Sequence, residues 1–530
     1  MPRTLLIGLD GATFTILDPL LEAGVMPHLK EFLNRGVRAK LCSVVPPLTA
    51  PAWTSMMTGR SPGNHGVFEF VRVLHFDQYS QYRLATSSDI RCETVWSIAS
   101  RQDLRIMSLN FPVMLPPKPM NRHDRIIPGF VPWRHLRRAV YPASFYERVK
   151  ALPGFDAKKL TFDLDQERRC VQVLSRDESE AWVRFHIERE GQWFGIIKHL
   201  MEAEPWDLVG WIADGFDKLG HACWQFLDSA YLASTPSPWE QKMRELCLEY
   251  FRTLDLFLGE LFVLAGDDAA TFIASDHGFT GSDEIFYVNV WLEQQGYLKW
   301  LGEVPYAQDG MLNTEGSKTV TYLFDWSQTK ACSMTAGSNG IYIRVADKPG
   351  QFGTHPENYR ALRAEIQQGL LAVRSPTTGK PVVEKVLTRE EAFSGDCSGM
   401  APDLTLVLRD HGFVSVLRSN AVVKERREIV GTHHPEGIFI AAGPSIKHGV
   451  QLPSLSILDV APALLYSLGL SVPVDFEGRF PSEAFEPAAL AAAPCRVEGT
   501  TITVAGEERP VEADEEALIL DRLAKLGYMV

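Results

Sequence analysis

Carboxylate and imidazole side chains recur at four points of the sequence, each beside a short apolar run of the kind that forms a buried strand. These side chains are Asp10, Asp217 with His221, Asp276 with His277, and His433. Asp217 and His221 are four residues apart, so a helical turn would place both on one face. Asp276 and His277 are adjacent at a predicted strand end, where a turn can direct both side chains to one point. The pattern therefore predicts a site that Asp and His side chains build together.

Mixed Asp and His ligation is typical of Zn²⁺ sites, with Mn²⁺ or Fe as alternatives. Two sets of three such ligands predict two divalent metal ions. Paired ions about 3.5–4 Å apart are used to clamp the attacking and leaving oxygens in phosphoryl transfer. The predicted cofactors are thus two divalent metal ions, with Zn²⁺ preferred.

The stretch VVPPLTAPAWTSMMTGRSPGNHG, residues 44–66, supplies a possible nucleophile. Its two prolines, Pro46 and Pro47, end a strand because proline has no N–H for the ladder. Pro51 suits the first turn of a helix, which predicts that Thr49 lies at a helix N-terminus. Unpaired N–H groups and the helix dipole attract anions there, so the Thr49 hydroxyl could attack a bound phosphate.

Each of these residues also has a purely structural interpretation. Thr49 could be an N-cap, and Asp10 before Gly11 is an ordinary turn signal. Asp217 could cap a helix, and a single buried histidine is usually a hydrogen-bonded core residue. The occurrence of four such clusters, each near a predicted strand end, favours the functional interpretation.

The elements that must position these residues follow a βαβ order. Residues 5–9 form a predicted strand, residues 17–24 and 27–36 two helices, and residues 37–45 the next strand. This order predicts an α/β fold with a parallel sheet and with functional groups at the carboxyl ends of its strands. Asp10 and Thr49 both occupy such ends.

Composition excludes several classes of function. The 530 residues are 45% hydrophobic and 22% charged, which suits a folded protein with a full core. A formal net charge of −13 argues against a protein that binds nucleic acid polymers or anionic membranes. Apolar runs stay well short of the roughly 20 residues that a membrane span needs, and none is expected. The oligomeric state is left open.

Eight cysteines are scattered without a CxxC pair, which indicates neither a disulfide framework nor a thiolate zinc site. The apolar part of MPRTLLIGLDG is too short for a secretory leader, so it is interpreted as the first core strand. We therefore expect the protein to be located in the cytoplasm.

The predicted domain organisation has one catalytic domain over residues 1–480. Residues 279–429 interrupt the sheet pattern and are expected to form an inserted cap, with parts of residues 67–200 as additional cap. Within the insertion, residues 320–324 and 340–345 resemble strands, and residues 356–371 resemble a helix. Residues 481–530 form a predicted C-terminal appendage, with a hairpin near 500–511 and a helix over 514–526.

The motifs together resemble the alkaline phosphatase superfamily, and within it the type I phosphodiesterase/nucleotide pyrophosphatase family. The resemblance lies in IGLDGATF, TAPAWTSMMTGRSPGNHG, DKLGH, SDHGF and GTHHPEGIFIAAGP, together with ILDVAPALLYSLGL. These motifs span about residues 7–479 in the order that the family has. The resemblance implies a doubly wound, mostly parallel sheet with helices on both faces.

The resemblance also implies roles for the site residues. Thr49 would be the nucleophile and would form a phosphothreonine intermediate that water then hydrolyses. The first metal ion would be held by Thr49 with Asp10, Asp276 and His277. The second metal ion would be held by Asp217, His221 and His433.

Two positions depart from the related patterns. The nucleotide pyrophosphatases carry an HGxxxN run whose Asn contacts the phosphoryl group, whereas HGVFEF places Phe70 there. Some electrostatic stabilisation must then come from elsewhere, or the substrate differs. Sulfatases need Cys or Ser at the position of Thr49 and Arg at that of Trp53, so a sulfatase is disfavoured. Asp214 and His434 are alternative ligands, and His65 is interpreted as a structural residue.

The leading functional hypothesis is a metal-dependent phosphoester hydrolase of the phosphodiesterase/nucleotide pyrophosphatase type. Its expected substrate is a small, anionic phosphoester, a diester or a nucleotide-like pyrophosphate in preference to a monoester. A phosphotransferase or phosphomonoesterase of the same superfamily is an alternative. A non-catalytic, metal-dependent ligand-binding protein is a third hypothesis, which the intact Thr49 and complete ligand set disfavour.

Overall fold

A nine-stranded sheet forms the centre of the fold in the computed structural model. The structure describes residues 2–73, 82–131, 133–161, 175–302, 320–346 and 351–502. The strands are β1 Arg3–Leu9, β2 Val37–Cys42, β3 Val71–Val73, β4 Tyr82–Leu84, β5 Ile106–Leu109, β6 Arg125–Ile127, β7 Leu208–Ala213, β8 Ala269–Ala274, β9 Gly278–Phe286, β10 Ala331–Cys332, β11 Gly340–Ile343, β12 Val383–Thr388, β13 Leu404–Leu408, β14 Val423–His434, β15 Glu436–Ala442, β16 Val450–Gln451 and β17 Leu455–Ser456.

The central sheet has the order β16-β2-β15-β8-β1-β7-β5-β6, and β17 also pairs with β2. Strands β8, β1, β7, β5 and β6 run parallel to one another. Strand β15 lies antiparallel between β2 and β8. The predicted α/β fold with a mostly parallel sheet is confirmed, with β15 as an antiparallel strand inside it.

Helices cover both faces of this sheet because its strands are buried on both sides. The helices are α1 Phe14–Glu22, α2 Pro27–Asn34, α3 Thr49–Thr58, α4 Pro62–His65, α5 Val95–Ser100, α6 Leu136–Ala139, α7 Ala143–Lys150, α8 Ala157–Leu160, α9 Arg176–Ala203, α10 Gly215–Leu227, α11 Pro238–Ala265, α12 Val288–Gln294, α13 Tyr359–Leu371, α14 Arg389–Ala392, α15 Val460–Ser467 and α16 Pro487–Ala492. In β1, Leu5 and Ile7 pack with α1, α2, α9, α10 and α11, whereas Leu6 packs with α3, α5 and α15. Alternate residues of β1 thus pack into two different hydrophobic cores, one on each face of the sheet.

Two 28-residue helices, α9 and α11, form the largest helical layer. Each begins with a capping box, Ser175 with Glu178 and Ser237 with Glu240, which satisfies N–H groups that the first turn leaves unpaired. Among the helices of the described residues, none is long and apolar enough to cross a membrane.

The segment between β8 and β15 begins with β9 and ends with β14, and these two strands pair to form a ribbon. Strand β9 leaves the central sheet and pairs antiparallel with the returning β14, so that Phe279 lies opposite His433. Between these strands lies a second sheet of the order β10-β11-β13-β12, with its own hydrophobic core.

Secondary structure within this segment differs from the sequence prediction in one place. The predicted strand over residues 320–324 is wrong, because Val320–Leu323 forms a 3₁₀ turn. The predicted hairpin, apart from residues 500–502, and the predicted helix over residues 514–526 lie outside the described residues.

Glu69 links the segment after α4 to the second sheet. Its side chain is buried, and the Thr335 hydroxyl donates a hydrogen bond to Oε2 at 2.5 Å. Burial raises the pKa of Glu69 to about 8, against 4.5 for an ordinary glutamate. The carboxyl group is therefore held as the neutral acid in the folded protein at neutral pH.

This raised pKa predicts a pH-dependent stability. The folded state keeps the Glu69 proton up to about pH 8, whereas an unfolded chain loses it near pH 4.5, so stability is full at acidic pH and falls between these values. We expect the loss to be on the order of 4 kcal/mol in free energy of unfolding. Denaturant titrations between pH 5 and 9 should show that Glu69→Gln removes most of this slope. A Glu69→Gln variant with the wild-type slope would contradict the prediction.

Candidate metal centre and active site

The candidate site lies where the parallel strands of the central sheet reach their carboxyl ends, and five chain segments meet there. This end of the strands is called the edge of the sheet below. Parallel strands β1, β7 and β8 end at this edge and are followed by Asp10, Asp217 and Asp276. Strand β15 runs in the opposite direction, so this edge receives its beginning, and His433 precedes it. Thr49 arrives at the same edge through the loop after β2. The topology therefore brings residues from distant parts of the sequence together.

Three histidines are oriented in the same way by backbone carbonyl groups. Nδ1 lies 3.2 Å from Gly431 O in His221, 3.1 Å from Gly278 O in His277 and 2.8 Å from Pro47 O in His433. A carbonyl oxygen only accepts, so each Nδ1 carries the proton and each Nε2 presents its lone pair in the neutral ring. This arrangement is typical of histidines that bind a metal through Nε2.

Asp217, His221 and His433 form the first set of donor atoms. Asp217 Oδ1 lies 3.4 Å from His221 Nε2 and 3.2 Å from His433 Nε2, and the two Nε2 atoms are 3.1 Å apart. Ligands at 2.0–2.1 Å around a tetrahedral Zn²⁺ are separated by about 3.3 Å. Two lone pairs facing each other repel, so this geometry requires a cation or a proton between them.

The second set surrounds His277. Its Nε2 lies 3.6 Å from Asp10 Oδ1, 3.2 Å from Asp276 Oδ2 and 3.4 Å from Thr49 Oγ1. All four side chains are almost completely buried. The structure thus brings together the four residues that the family resemblance assigns to one metal ion, namely Asp10, Thr49, Asp276 and His277.

Buried carboxylate oxygens without a hydrogen-bond partner face both sets. They are Asp10 Oδ1, Asp217 Oδ1 and Asp276 Oδ2. A buried oxygen without a partner is unfavourable, and a coordinated cation would remove that cost. The donor set therefore fits divalent metal binding.

Asp217 occupies a central position between the two sets. Its donor atom lies within 4.8 Å of those of His221 and His433, and also within 4.8 Å of those of Asp10 and His277. Asp217 thus lies near the donor atoms around His277 as well as near His221 and His433, although the family resemblance assigns it only to the ion that His221 and His433 would hold.

Burial at the site keeps His277 and His433 neutral. Burial lowers the pKa of His277 well below its usual range, and burial also lowers the pKa of His433. Burial raises the pKa of Asp10 and of Asp276. Burial alone would also raise the pKa of Asp217, but Lys218 and His221 outweigh it and hold that pKa well below its usual range. Bound cations would favour the ionised form of all three carboxylates.

Thr49 is the first residue of α3, and its hydroxyl does not cap the helix. The N-cap is Leu48, and no side chain makes the capping hydrogen bond. The αL residue Gly59 ends the helix. The Thr49 hydroxyl instead faces His277 Nε2, so the cap interpretation does not describe this residue.

Supporting groups that sequence motifs did not reveal hold the candidate ligands in place. The Trp53 indole N–H donates to Asp10 Oδ2 at 3.2 Å, and the Gly11 N–H donates to Asp276 Oδ1 at 3.1 Å. Gly11 has φ +73°, and a Cβ there would lie 2.5 Å from Phe279. A Cβ on Gly431 would lie 2.0 Å from the Gly220 carbonyl oxygen, so only glycine lets α10 approach β14 closely enough for His221 to meet His433. In the sequence, the glycines of the quoted motifs were the signal from which these close contacts could have been predicted.

The remaining candidates lie outside both donor sets. Asp214 forms an ion pair with Arg189, both buried. His434 accepts a hydrogen bond from the Glu436 N–H, so His433 is the member of the pair that faces Asp217. His65 accepts from the Val67 N–H and lies 2.9 Å from Ser55 Oγ, which is a structural role.

Residues 4–436 match the sequence profile of the type I phosphodiesterase / nucleotide pyrophosphatase family. The chain belongs to this family. A comparison with curated proteins returned no match. Membership places the chain within the alkaline phosphatase superfamily and confirms the resemblance in its sequence motifs.

Solved structures of this superfamily share the fold. Phosphonoacetate hydrolase from Sinorhizobium meliloti 1021, in complex with phosphonoformate, superposes with a TM-score of 0.52 at 17% identity, over 88% of this chain and 95% of that chain. Murine ectonucleotide pyrophosphatase / phosphodiesterase 5 gives a TM-score of 0.50 at 14% identity, over 91% and 100%. An inactive threonine-to-alanine variant of the murine protein, in complex with AMP, gives 0.50 at 13% identity, over 92% and 100%.

The central position of Asp217 predicts a strong effect on metal binding. Replacing a residue that only supports a ligand costs about 10- to 100-fold in metal affinity, so Asp217→Asn should weaken Zn²⁺ binding at least about tenfold. Titration of the apoprotein and metal analysis after dialysis would measure this. Asp255→Asn is the matched control, since Asp255 accepts from the backbone N–H groups of His28 and Leu29 away from the site. Equal metal content in both variants would contradict the prediction.

Proposed function

We propose that this chain is a metal-dependent phosphoester hydrolase that acts through a phosphothreonine intermediate at Thr49. The observation that carries the proposal is the position of the Thr49 hydroxyl, 3.4 Å from the Nε2 of a histidine that also lies beside two buried carboxylates. Membership of a phosphodiesterase and pyrophosphatase family supports it. The inactive threonine-to-alanine variant of the murine relative supports it as well.

Two divalent ions are proposed as the cofactors, Zn²⁺ by preference, because the donors are imidazole and carboxylate groups. Asp10, Asp276, His277 and Thr49 would hold one ion, and Asp217, His221 and His433 the other. When bound, the ions would lower the pKa of the Thr49 hydroxyl and neutralise charge on the phosphoryl oxygens.

Protein groups around Thr49 prepare it for attack. Thr49 is buried, and it lies in the first turn of α3, where N–H groups have no partner within the helix. Such N–H groups favour a phosphoryl group in front of the hydroxyl. The oxygen of Thr49 would bond to phosphorus as the bond to the ester oxygen breaks, so that the hydroxyl proton ends on the departing alcohol. Water would then attack phosphorus in a second in-line step, which breaks the bond to Thr49, restores its hydroxyl and releases the phosphoryl product.

The proposed substrate is a small anionic phosphoester, such as a nucleotide-like ester. The relatives named above bind phosphonoformate and AMP, which are small and anionic. Side-by-side turnover of a bis-aryl phosphate, an aryl phosphate and an aryl sulfate would test the reaction class. Hydrolysis of the sulfate alone would refute the proposal.

The nucleophile role predicts that Thr49→Ala loses activity but not stability. Removal of the attacking oxygen should lower the hydrolysis rate by roughly a thousandfold or more. The melting temperature should barely change, because the hydroxyl makes no capping bond. Thr49→Ser should keep part of the rate, since it keeps a hydroxyl.

Thr58→Ala is the matched control within the same helix. The Thr58 hydroxyl donates to the Thr54 carbonyl oxygen at 2.8 Å, at the far end of α3. This variant should lose stability and keep its rate. If Thr49→Ala hydrolyses within a few-fold of the wild-type rate, Thr49 is not the nucleophile.

We also propose that residues 279–429 form a cap over this edge of the sheet, with parts of residues 67–200. Support comes from the β9–β14 ribbon, which carries Phe279 and His433 opposite each other at one end, and from the Phe413 ring, which lies 4.8 Å from the His433 ring. Residues 481–530 remain the proposed appendage.

The cap proposal predicts that a ligand at the site shields the inserted segment. Binding of inorganic phosphate should slow amide hydrogen exchange in residues 411–416, next to His433. Exchange in α13, on the second sheet and away from the site, serves as the internal control. Unchanged exchange in residues 411–416 with phosphate bound would show that they do not cover the site.

A further inference from the structure

A cavity lies between the inserted segment and the chain that follows α4. Its volume is about 260 Å³, and it is lined by residues from the stretch 66–72 and by residues from 389–402, which connect β12 to β13. The candidate metal ligands are not among the residues that line it, so it is distinct from both donor sets. Ligand sites are common between two parts of a fold, and pockets for drug-sized ligands have about 300–1,000 Å³. The cavity therefore suits a smaller molecule.

Arg72, in β3, lines the cavity and has hydrogen-bond donors to spare. Its Nη1 donates to Asp89 Oδ1 at 3.1 Å, and its Nε and Nη2 groups have no partner among the described residues. Asp89 is almost fully buried and also accepts from Arg83 and from the Thr86 N–H. The carboxylate of Asp89 is thus already occupied by donors, and the remaining donors of Arg72 are available to a ligand.

A second guanidinium group lines the cavity from the inserted segment. Arg389 begins α14, where its Nη2 donates to Asp403 at 2.7 Å and its Nε donates to the Ala401 carbonyl oxygen at 3.0 Å. Within the described part of the chain, its Nη1 group has no partner. A guanidinium carries five N–H donors in a planar fork that matches an anionic oxygen pair. Two arginines with unused donors, from distant parts of the sequence, therefore line one cavity.

Glu69 also lines the cavity, but it does not neutralise these arginines. Burial raises its pKa to about 8, so the side chain is a neutral acid at neutral pH. Its Oε2 accepts from the Thr335 hydroxyl, and its Oε1 has no hydrogen-bond partner among the described residues. An anion that enters the cavity thus meets arginine donors and, in the described lining, no unpaired carboxylate.

Most of the remaining lining residues are apolar. The rings of Phe68 and Phe393 lie edge to face, with their centres 5.1 Å apart, and Met400 and Pro402 add further apolar surface. Aromatic rings pack favourably in such edge-to-face arrangements. This lining suits the apolar body of a ligand whose anionic end binds the arginines.

We propose that this cavity binds a small organic carboxylate with an aromatic or apolar body. The carboxylate would accept hydrogen bonds from Arg72 and Arg389. A carboxylate is favoured over a doubly charged phosphoryl group, because each of these arginines already faces one carboxylate of the protein. Pro46 also lines the cavity, and the carbonyl of the next residue, Pro47, orients His433. The bound molecule would therefore lie beside the loop that leads to the nucleophile candidate, outside both donor sets.

Calorimetry on metal-loaded protein would compare benzoate with benzamide, its uncharged counterpart. Benzoate should bind saturably, and benzamide at least about tenfold more weakly, as for loss of a charged hydrogen bond. Arg72→Met should weaken benzoate binding about 10- to 100-fold for the same reason. The fold should tolerate this change, since Asp89 keeps its hydrogen bond from Arg83.

Two further variants separate the shape of the cavity from its charge. Ala85 lines the cavity, so Ala85→Leu should weaken the binding of both ligands without any change of charge. Arg252→Met is the matched control for removal of an arginine, because Arg252 pairs with Glu245 on an exposed face of α11. Affinity for benzoate should be unchanged in this control.

Asp217→Asn distinguishes the cavity from the candidate metal centre. Benzoate bound to a metal ion would lose affinity in this variant, whereas benzoate in the cavity should keep it. The proposal would be overturned by a lack of saturable benzoate binding, by equal affinity for benzoate and benzamide, or by wild-type affinity in both Arg72→Met and Ala85→Leu. Loss of benzoate binding in Asp217→Asn would overturn it as well. Arg72→Gln replaces Arg72→Met if the latter does not fold, and none of these outcomes bears on hydrolysis at Thr49.

Discussion

The convergence of three imidazole lone pairs on buried carboxylate oxygens is the constraint on which the rest of the structure depends. Backbone carbonyl groups fix each Nδ1–H, so the Nε2 atoms of His221 and His433 are held 3.1 Å apart. Such a site is electrostatically unfavourable without positive charge inside it. The surrounding fold must hold these groups together, and the candidate ligands other than the partly exposed His221 are almost fully buried in it.

Sheet topology determines how the ligands meet. Parallel strands deliver Asp10, Asp217 and Asp276 after their carboxyl ends, as the βαβ pattern predicts. His433 comes before its strand, and it reaches the same edge only because β15 runs antiparallel between β2 and β8. The hydrophobic pattern of a run such as GIFIAA does not depend on the direction of the strand in the sheet. Sequence patterns could therefore locate this strand but could not predict its direction. The fold class was therefore predictable, and the direction of β15 was not.

The candidate site divides in the same way between predictable and unpredictable parts. Types and spacing of Asp, His and Thr residues in the motifs located the donor atoms that the structure brings together. The groups that orient them, such as the Pro47 carbonyl and the Trp53 indole N–H, depend on contacts between segments far apart in the chain.

The β9–β14 ribbon connects the chemistry of the site to the second sheet. Phe279 lies opposite His433 in this ribbon, and its ring lies 4.9 Å from that of His221 and 5.3 Å from that of His433. Because these rings are packed together, a displacement of the ribbon would displace the histidines, and ligand binding would in turn restrain the ribbon. Glu69 joins the connection between β10 and β11 of the second sheet to the segment that follows α4, through the Thr335 hydroxyl. The inserted segment thus contacts the rest of the chain both through the ribbon beside the candidate site and through Glu69.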